Sequence, residues 1–232
     1  MQRQLNLILN GKGGVGKSFF AVNFIQYLKD QQIQHTAIDT DNENSTLKRF
    51  HPEARFVNLA NARGLDELMV AIETVPLVIA DCRAASTDPF LTYFAELALF
   101  DILNGLDAGL TVVSPISHDL DSAEQARIIA NAFSNRCRYL VVKNYALTEH
   151  FTIYDASETR KRLLGELAAK EMIMPRLQDW LVAMLQQANL PVGLGIQSQT
   201  FSLMDRQRLK NWQRQFHGQL DTVRQILLPE PP

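Results

Sequence analysis

Residues 5–18 read Leu-Asn-Leu-Ile-Leu-Asn-Gly-Lys-Gly-Gly-Val-Gly-Lys-Ser, an apolar run followed at once by a glycine-rich loop. The loop, residues 11–18, fits the pattern G-x-x-x-x-G-K-[ST] and lies between a predicted strand and a predicted helix, as phosphate binding requires. Glycines let successive backbone N–H groups point at phosphate oxygens, and the following helix adds the positive end of its dipole. We expect Lys17 to reach the β- and γ-phosphates and the Ser18 hydroxyl to bind Mg²⁺. The alternative is a chance glycine-rich turn, which does not explain the full motif in this setting.

The composition is that of a globular α/β protein. The chain has 232 residues, 46% of them hydrophobic, which is enough to bury one substantial core. We predict a single P-loop ATPase domain over residues 1–228 and a disordered tail at 229–232, because the prolines of the tail cannot continue a helix. The formal net charge of -2 excludes a global basic field that would attract nucleic acid.

Several sequence features favour the cytoplasm. The N-terminus lacks the layout of a signal peptide, and the longest apolar run, residues 89–100, is too short to span a bilayer. Cys82 and Cys137 are too few for a disulfide scaffold, so a reduced compartment fits best. The histidines are scattered without metal-ligand spacing, and we predict no metal site made of protein side chains alone. We therefore expect a cytoplasmic protein without membrane attachment.

Short apolar runs alternate with helical patterns along most of the chain. Such runs suit strands that are covered on both faces, and strand–helix alternation favours right-handed crossovers in a parallel sheet. We predict strands at residues 5–10, 36–39, 77–81, 110–114, 139–143 and, more weakly, 171–174. We predict helices at residues 18–31, 64–74, 89–103, 122–135, 176–188 and 202–228. The predicted fold is α/β, with a mostly parallel central sheet flanked by helices on both faces and a helical C-terminal segment.

Aspartates end two of the predicted strands. Asp39 and Asp41 stand two residues apart, so both side chains point the same way if the strand continues, and both can face a metal site. The run Leu-Val-Ile-Ala-Asp at residues 77–81 is a Walker B pattern, in which Asp81 would hold Mg²⁺ through water. The alternative is that Asp39 and Asp41 only cap the next helix, which the upstream phosphate loop disfavours.

A lysine near the start of the loop is unusual, because an ordinary phosphate loop does not need one. Residues 12–18 read Lys-Gly-Gly-Val-Gly-Lys-Ser and resemble the deviant Walker A signature of the ParA/MinD family, a SIMIBI-like group of P-loop NTPases. The resemblance implies an ATP-sandwich homodimer in which Lys12 reaches the partner's nucleotide. It also implies that Lys12, Lys17 and Asp41 are catalytic, with Asp41 positioning the attacking water. The alternative for Lys12 is a side chain that faces solvent at the rim of the loop.

The same resemblance implies how the cofactors, ATP and Mg²⁺, are held. Ser18 and Asp81 would hold Mg²⁺, with support from Asp39 through water. Asn144 and Pro175 would frame the adenine base, which Asn144 can bond through both of its amide groups. The alternative for Pro175 is that it only ends a strand. The implied nucleotide-binding residues are Gly11, Lys12, Gly13, Gly14, Val15, Gly16, Lys17, Ser18, Phe19, Asn144 and Pro175.

The chain departs from the family pattern at both switch segments. Residues 42–44 read Asn-Glu-Asn where Pro-Gln is common, and residues 82–86 read Cys-Arg-Ala-Ala-Ser where small or proline residues are usual. These departures leave open a partner-binding module that holds ATP without hydrolysing it. The presence of Cys82 and Cys137 also suggests an alternative, the related nitrogenase iron protein, whose cysteines hold a bridging iron–sulfur cluster. Neither cysteine matches that family's pattern.

Several short stretches look most like the TraL-type ATPases of conjugative plasmids. These stretches are residues 37–41, 45–47, 64–68 and 174–177. This resemblance implies a slow dimeric ATPase that assists plasmid partitioning, conjugal transfer or the positioning of a complex, and that a partner protein stimulates. The alternative from another class is a metabolic enzyme on the same fold, such as a dethiobiotin synthetase relative. Lys12 and the doubled aspartates favour the switch.

The last predicted helix carries an apolar stripe and a basic row. At about 100° per residue, the stripe consists of Leu209, Trp212, Phe216, Leu220, Val223 and Leu227. The basic row along its flank consists of Arg206, Lys210 and Arg214. ParA-type proteins bind DNA non-specifically through basic residues near the C-terminus, so the resemblance implies a DNA contact here. The alternative, which we favour, is a core-packed helix with a solvated edge. The terminus lacks the basic apolar tip of a membrane-targeting helix.

Overall fold

A parallel sheet forms the centre of the protein. The computed structural model describes residues 2–42, 44–59, 62–146 and 148–230. The strands are β1 (Arg3–Ile8), β2 (Thr36–Asp39), β3 (Arg55–Phe56), β4 (Leu77–Asp81), β5 (Ala108–Ile116), β6 (Arg138–Asn144) and β7 (Lys170–Met174). They lie in the order β3-β2-β4-β1-β5-β6-β7, and every neighbouring pair is parallel. The predicted fold class is therefore confirmed. Of the predicted tail and switch residues, Pro231, Pro232 and Glu43 lie outside the described residues.

Helices cover both faces of the sheet. They are α1 (Lys17–Asp30), α2 (Thr46–Phe50), α3 (Ala62–Thr74), α4 (Thr87–Glu96), α5 (Leu99–Gly105), α6 (Leu120–Phe133), α7 (Thr152–Asp155), α8 (Glu158–Gly165), α9 (Asp179–Ala188), α10 (Val192–Gln197) and α11 (Leu203–Leu227), with a 3-10 turn at Ser134–Arg136. Among the described residues, no helix combines the length and the apolar character needed to cross a membrane.

Strand residues alternate between two cores, which explains why the apolar runs of the sequence are nearly continuous. In β1, Leu5 and Leu7 belong to the core that contains α3 to α8. Ile8 belongs to the second core, which contains α1, α2, α9, α10 and α11. Because both faces are buried, the sheet presents its carboxyl edge as the place where loops and polar side chains gather.

The structure differs from the predicted elements where local geometry overrides the pattern. The predicted helix at residues 89–103 is two helices, α4 and α5, because Ala98 adopts a left-handed conformation with φ of 48°. Strand β3 was not predicted, since its two residues are both exposed and show no apolar run. The helix predicted from residue 176 begins at Asp179, because Gln178 is still extended.

The C-terminal helix α11 packs against one face of the sheet and is hydrogen-bonded to it. All six residues of its predicted apolar stripe are buried. The Asn6 side chain in β1 donates a hydrogen bond to the Leu227 carbonyl (Nδ2 to O, 2.8 Å), and the Thr111 hydroxyl in β5 donates to the Ile226 carbonyl. Both polar side chains are fully buried. The helix is therefore core-packed, and its last carbonyls are satisfied by the sheet itself.

Candidate nucleotide-binding site

The phosphate loop connects β1 to α1 and needs its glycines. Gly14 and Gly16 have φ of 76° and 98°, a region that other residues rarely adopt. A Cβ atom on Gly16 would lie 2.5 Å from Asn144 Nδ2, and one on Gly11 would lie 2.2 Å from Gln125 Oε1. The loop is thus packed between the end of β6 and helix α6, and the sequence pattern reflects these close approaches.

The loop is also held in place by a buried asparagine that sequence reasoning did not single out. The Asn10 amide group donates to the carbonyls of Pro115 and Ser122, at 3.0 and 3.1 Å, and its Oδ1 accepts from the Lys12 backbone N–H at 3.0 Å. All three bonds are to main-chain atoms. Asn10 therefore fixes the backbone at the start of the loop.

Lys17 lies inside a cavity of about 350 Å³ above the loop. Its ammonium group donates to the Lys12 carbonyl (2.8 Å), and only 7% of the residue is exposed. Burial lowers the pKa of Lys17, while the nearby Asp81 opposes this shift. Ser18 and Asp41 line the same cavity. The structure thus brings together three of the residues that the sequence assigns to phosphate, metal and water.

Asp81 ends β4 in the registered position opposite Asp39 of β2. The carboxyl group is fully buried, hydrogen-bonds to the Ser18 side chain, and has a pKa raised to about 7, chiefly by burial and further by Asp39. Its Oδ1 atom has no hydrogen-bond partner among the described residues. A buried carboxylate oxygen beside a hydroxyl is a suitable place for a hydrated divalent cation, so these residues fit Mg²⁺. In the described part of the chain, no group of three or more His, Cys, Asp or Glu side chains is arranged to hold a metal ion.

The raised pKa of Asp81 predicts that Asp81→Asn stabilises the protein without nucleotide and Mg²⁺. The folded state keeps a proton that the unfolded state loses, so this carboxyl lowers stability progressively as pH rises from 3.8 to about 7 and remains unfavourable above it. We expect the Tm of Asp81→Asn to exceed that of wild type at about pH 8 and the gap to shrink towards about pH 4. Calorimetry over this range, with the exposed Glu149→Gln as control, checks this. A variant less stable than wild type at the upper end contradicts it.

Asp39 and Asp41 have different surroundings although they stand two residues apart. Asp39 is fully buried, and its Oδ1 and Oδ2 accept the backbone N–H groups of Asp41 (2.9 Å) and Lys48 (3.0 Å). Its carboxylate therefore joins the two ends of residues 41–48, which contain the first of the two atypical switch stretches. The Asp41 carboxylate accepts from Asn44, from the backbone N–H at 3.3 Å and from Nδ2 at 3.0 Å. Asp41 borders the cavity, whereas Asp39 lies behind it.

Lys12 lies at the rim of the loop and points away from the cavity. Its ammonium group forms an ion pair with Asp121 in the first turn of α6 (Nζ to Oδ2, 2.9 Å), and this contact raises the pKa of Lys12. The side chains are 38% and 70% exposed. Asp121 was missed because nothing in the sequence links it to a lysine far upstream.

Asn144 and Pro175 lie beside the loop, at the carboxyl ends of β6 and β7. Asn144 Nδ2 donates to the Val15 carbonyl and its Oδ1 accepts from the Ala146 N–H, both at 3.0 Å. The Pro175 carbonyl accepts from the Trp212 indole at 2.7 Å. Neither residue lines the cavity described above. Asn144 therefore supports the loop, and base recognition by these two residues stays a prediction.

Of the other residues singled out in the sequence, Phe19 lies at the cavity and the two cysteines lie far apart. Phe19 lines the cavity and packs edge-on against Trp212, with ring centroids 5.5 Å apart. Cys82 follows the carboxyl end of β4 and Cys137 precedes the amino end of β6, so the two thiols lie at opposite ends of the parallel strands. They cannot share one site within the chain.

A family model described as "CobQ/CobB/MinD/ParA nucleotide binding domain" matches residues 7–189. The chain is similar to Protein TraL of Escherichia coli, with 28% identity over 95% of this chain and 98% of the relative. It is similar to Protein MobD of Acidithiobacillus ferrooxidans, with 22% identity over 96% and 99% of the two chains. Its fold is similar to the septum site-determining protein MinD complexed with Mg-ADP from Pyrococcus horikoshii OT3, with a TM-score of 0.57 and 11% identity over 99% and 100%.

Proposed function

This chain belongs to the CobQ/CobB/MinD/ParA nucleotide-binding domain family, and on that premise we propose that it is an ATP-driven molecular switch that dimerises around ATP and resets by hydrolysis. The observation that carries the proposal is the cavity that unites Lys17, Ser18 and Asp41, with Lys12 outside it at the rim of the phosphate loop. A chain that only stored a nucleotide would have no need of a second lysine there.

Each residue of the site has a separate role in the proposed hydrolysis of ATP. Glycine N–H groups and Lys17 bind the β- and γ-phosphates, and Ser18 with Asp81 holds Mg²⁺, which screens phosphate charge when bound. Asp41, at the wall of the same cavity, orients the attacking water. Lys12 leaves Asp121 and contacts the nucleotide of the partner subunit, so that closing the dimer completes each site.

The relatives suggest a setting for the switch. Protein TraL and Protein MobD both match nearly the full length of this chain, in line with the resemblance to TraL-type ATPases of conjugative plasmids. We propose that the protein acts in the cytoplasm on plasmid transfer or maintenance, as one domain over residues 1–228, and that a partner protein of the transfer machinery stimulates its slow ATPase activity.

Lys17→Ala tests the phosphate loop. The substitution removes a charge-assisted contact from within the cradle, so we expect ATP affinity to fall by at least about 100-fold. Isothermal titration with ATP and Mg²⁺ measures it. The exposed Lys170→Ala at the opposite edge of the sheet is the matched control and should bind like wild type. Unchanged affinity of Lys17→Ala would remove the basis of the proposed function.

A metabolic phosphotransferase remains the second candidate, because the cavity extends into an apolar recess. The recess is lined by Phe50, Val182, Leu190 and Val192. Such a surface suits a small apolar substrate as well as it suits a base. The two candidates differ in what accelerates ATP consumption. DNA or transfer proteins should stimulate the switch, whereas only a small-molecule acceptor should stimulate the phosphotransferase.

The basic row on α11 predicts ATP-dependent, non-specific DNA binding. Lys210 and Arg214 are exposed, whereas Arg206 is half-buried and its Nε is buried without a hydrogen-bond partner. We therefore expect Lys210 and Arg214 to dominate. Changing all three to Gln should weaken binding to duplex DNA at low salt by at least about 10-fold and flatten its salt dependence, since fewer counterions are released.

The control for this prediction changes charge equally on the other flank of the same helix. Asn211→Glu, Gln215→Glu and Thr222→Glu together also lower the net charge by three, and all three positions are exposed. Fluorescence anisotropy with labelled duplex, with ATP and with ADP, compares the two triple variants. Equal losses in both would indicate a net-charge effect, and no binding by ATP-loaded wild type would leave α11 as a core-packed helix only.

A further inference from the structure

We infer that Arg83 is a catalytic residue of this site, supplying a positive charge from within the same subunit to the γ-phosphate. The inference rests on the proposed function and adds to it a residue that neither the phosphate loop nor the Walker B pattern includes. It gives a role to the arginine of the Cys-Arg pair that directly follows Asp81.

The backbone around Arg83 is fixed on two sides. The Cys82 N–H donates to the Ile8 carbonyl at the end of β1 (3.1 Å), and the Ala85 N–H donates to the Gly11 carbonyl of the phosphate loop (3.1 Å). The Arg83 N–H itself donates to the Thr40 hydroxyl, in the residue directly before Asp41 (3.0 Å). The backbone at residues 82–85 is therefore hydrogen-bonded both to the phosphate loop and to the segment that carries Asp41.

The side chain of Arg83 forms part of the cavity wall. It lines the same cavity as Gly13, Gly14, Lys17 and Asp41. Its guanidinium group donates to Asn42 Oδ1 at 2.9 Å, and Asn42 directly follows Asp41. The guanidinium group thus lies at the cavity wall beside the segment that carries Asp41, and a guanidinium donates strongly to phosphate oxygens. Arginine has five donors, and a contact to phosphate need not use those that face the switch.

The excess of negative charge at the site favours a further positive group such as the Arg83 guanidinium. Three carboxylates, Asp39, Asp41 and Asp81, interact around Lys17, and the second loop lysine is paired with Asp121 outside the cavity. A triphosphate adds further negative charge in a partly dehydrated space, where unbalanced charge is costly. A guanidinium at the wall of the same cavity as Lys17 reduces that cost when negative charge shifts during the reaction.

The reaction that Arg83 assists is hydrolysis of the terminal phosphoanhydride bond. The water oxygen forms a bond to the γ-phosphorus, and the bond from that phosphorus to the β–γ bridging oxygen breaks. The electron pair of the broken bond stays on ADP, and the water protons pass to inorganic phosphate and solvent. Arg83 neither gives nor takes a proton, because its guanidinium stays charged throughout.

Two substitutions distinguish this role from a structural tie between the switch segments. Arg83→Gln keeps an N–H that can bond to Asn42 but removes the charge, and Arg83→Lys keeps the charge but loses the fork of donors. A charge acting on phosphate predicts that Arg83→Gln is inactive and Arg83→Lys partly active. A structural tie needs only a donor to Asn42 Oδ1, which both variants keep, so it predicts similar activities for Arg83→Gln and Arg83→Lys. Arg55→Ala, on the exposed edge strand, is the matched control.

The experiment measures binding of ATPγS and ADP by titration calorimetry, and single-turnover hydrolysis with and without added guanidinium ion. For Arg83→Ala we expect ADP affinity within about twofold of wild type, ATPγS affinity about 10-fold weaker, and hydrolysis at least about 100-fold slower. Guanidinium ion should restore part of the hydrolysis by Arg83→Ala and none of that by Lys17→Ala.

The outcomes separate this inference from the proposed function. Wild type that binds no nucleotide, or binds it without hydrolysis, overturns both. Wild type that hydrolyses ATP while Arg83→Ala keeps a similar rate overturns only the role of Arg83. Equal weakening of ADP and ATPγS binding, or an Arg83→Gln variant as active as Arg83→Lys, shows a structural tie and also overturns it.

Discussion

Lys12→Ala should bind ATP with an affinity within several-fold of wild type, yet fail to dimerise and hydrolyse at least about 100-fold more slowly. The structure gives the reason for the first half, because the Lys12 ammonium lies outside the cavity, paired with Asp121 at 2.9 Å. Only its carbonyl faces Lys17, and alanine keeps that carbonyl. The nucleotide contacts within one subunit are therefore expected to survive the substitution.

Loss of the dimer follows from charge. Two triphosphates brought face to face repel strongly where water is partly excluded, and a lysine from each side is needed to offset this repulsion. Light scattering with ATP and with ADP measures the assembly. Asp121→Asn is the control, because it removes the resting partner of Lys12 and keeps the lysine, so it should dimerise at least as readily as wild type.

A wild-type chain that stays monomeric with ATP at high protein concentration would contradict the sandwich. So would a Lys12→Ala variant that dimerises and hydrolyses normally. In either case the single-site phosphotransferase becomes the better account of the cavity.

Asp41→Ala should give the opposite result: it binds ATP, dimerises and stays dimeric, because the water is no longer positioned for attack. We expect hydrolysis to fall by at least about 100-fold. The switch segment should keep its shape, since the Asp41 N–H and carbonyl, which alanine retains, hold it to Asp39 and Ser45. The Asp41 carboxylate accepts from Asn44, which lies within the same segment.

Asp39→Ala is the informative comparison for Asp41→Ala. It removes the carboxylate that joins the backbone of Asp41 to that of Lys48, so it should disturb the whole switch segment and lower stability as well as activity. Size-exclusion chromatography after ATP loading, with thermal melts, separates the two. An Asp41→Ala dimer that falls apart as fast as wild type would show that Asp41 is not the residue that times release.

The central sheet could be predicted from the sequence because each strand is covered on both sides. The apolar runs at residues 77–81 and 139–143 are long enough to be seen without context. The family predicted from the loop and the TraL-type resemblance predicted from four other stretches are both confirmed by the matches. Strand β3 could not be predicted, since a two-residue exposed strand exists only through its partner β2. The break between α4 and α5 depends on one left-handed alanine, which no local pattern signals.

The site could be predicted as far as its motifs extend and no further. Lys17, Ser18, Asp41 and Asp81 stand next to the glycine loop or at strand ends, so sequence order alone brings them together at one edge of the sheet. Asp121 and Arg83 enter through long-range contacts, with Lys12 and with Asn42. The sequence shows that these residues exist, but only the folded chain shows what they face.

The contact of α11 with the sheet has a consequence for the order in which the protein can be completed. Synthesis releases the N-terminus first, so β1 and the phosphate loop emerge long before residues 226–227. Until those residues arrive, the buried Asn6 and Thr111 side chains have no carbonyls of the last helix to bond. Unpaired polar groups in the middle of a sheet are costly, so the central strands of a nascent chain should stay incompletely formed. The strand that leads into the phosphate loop is thus among the first to be made and reaches its final hydrogen bonding only with the last helix.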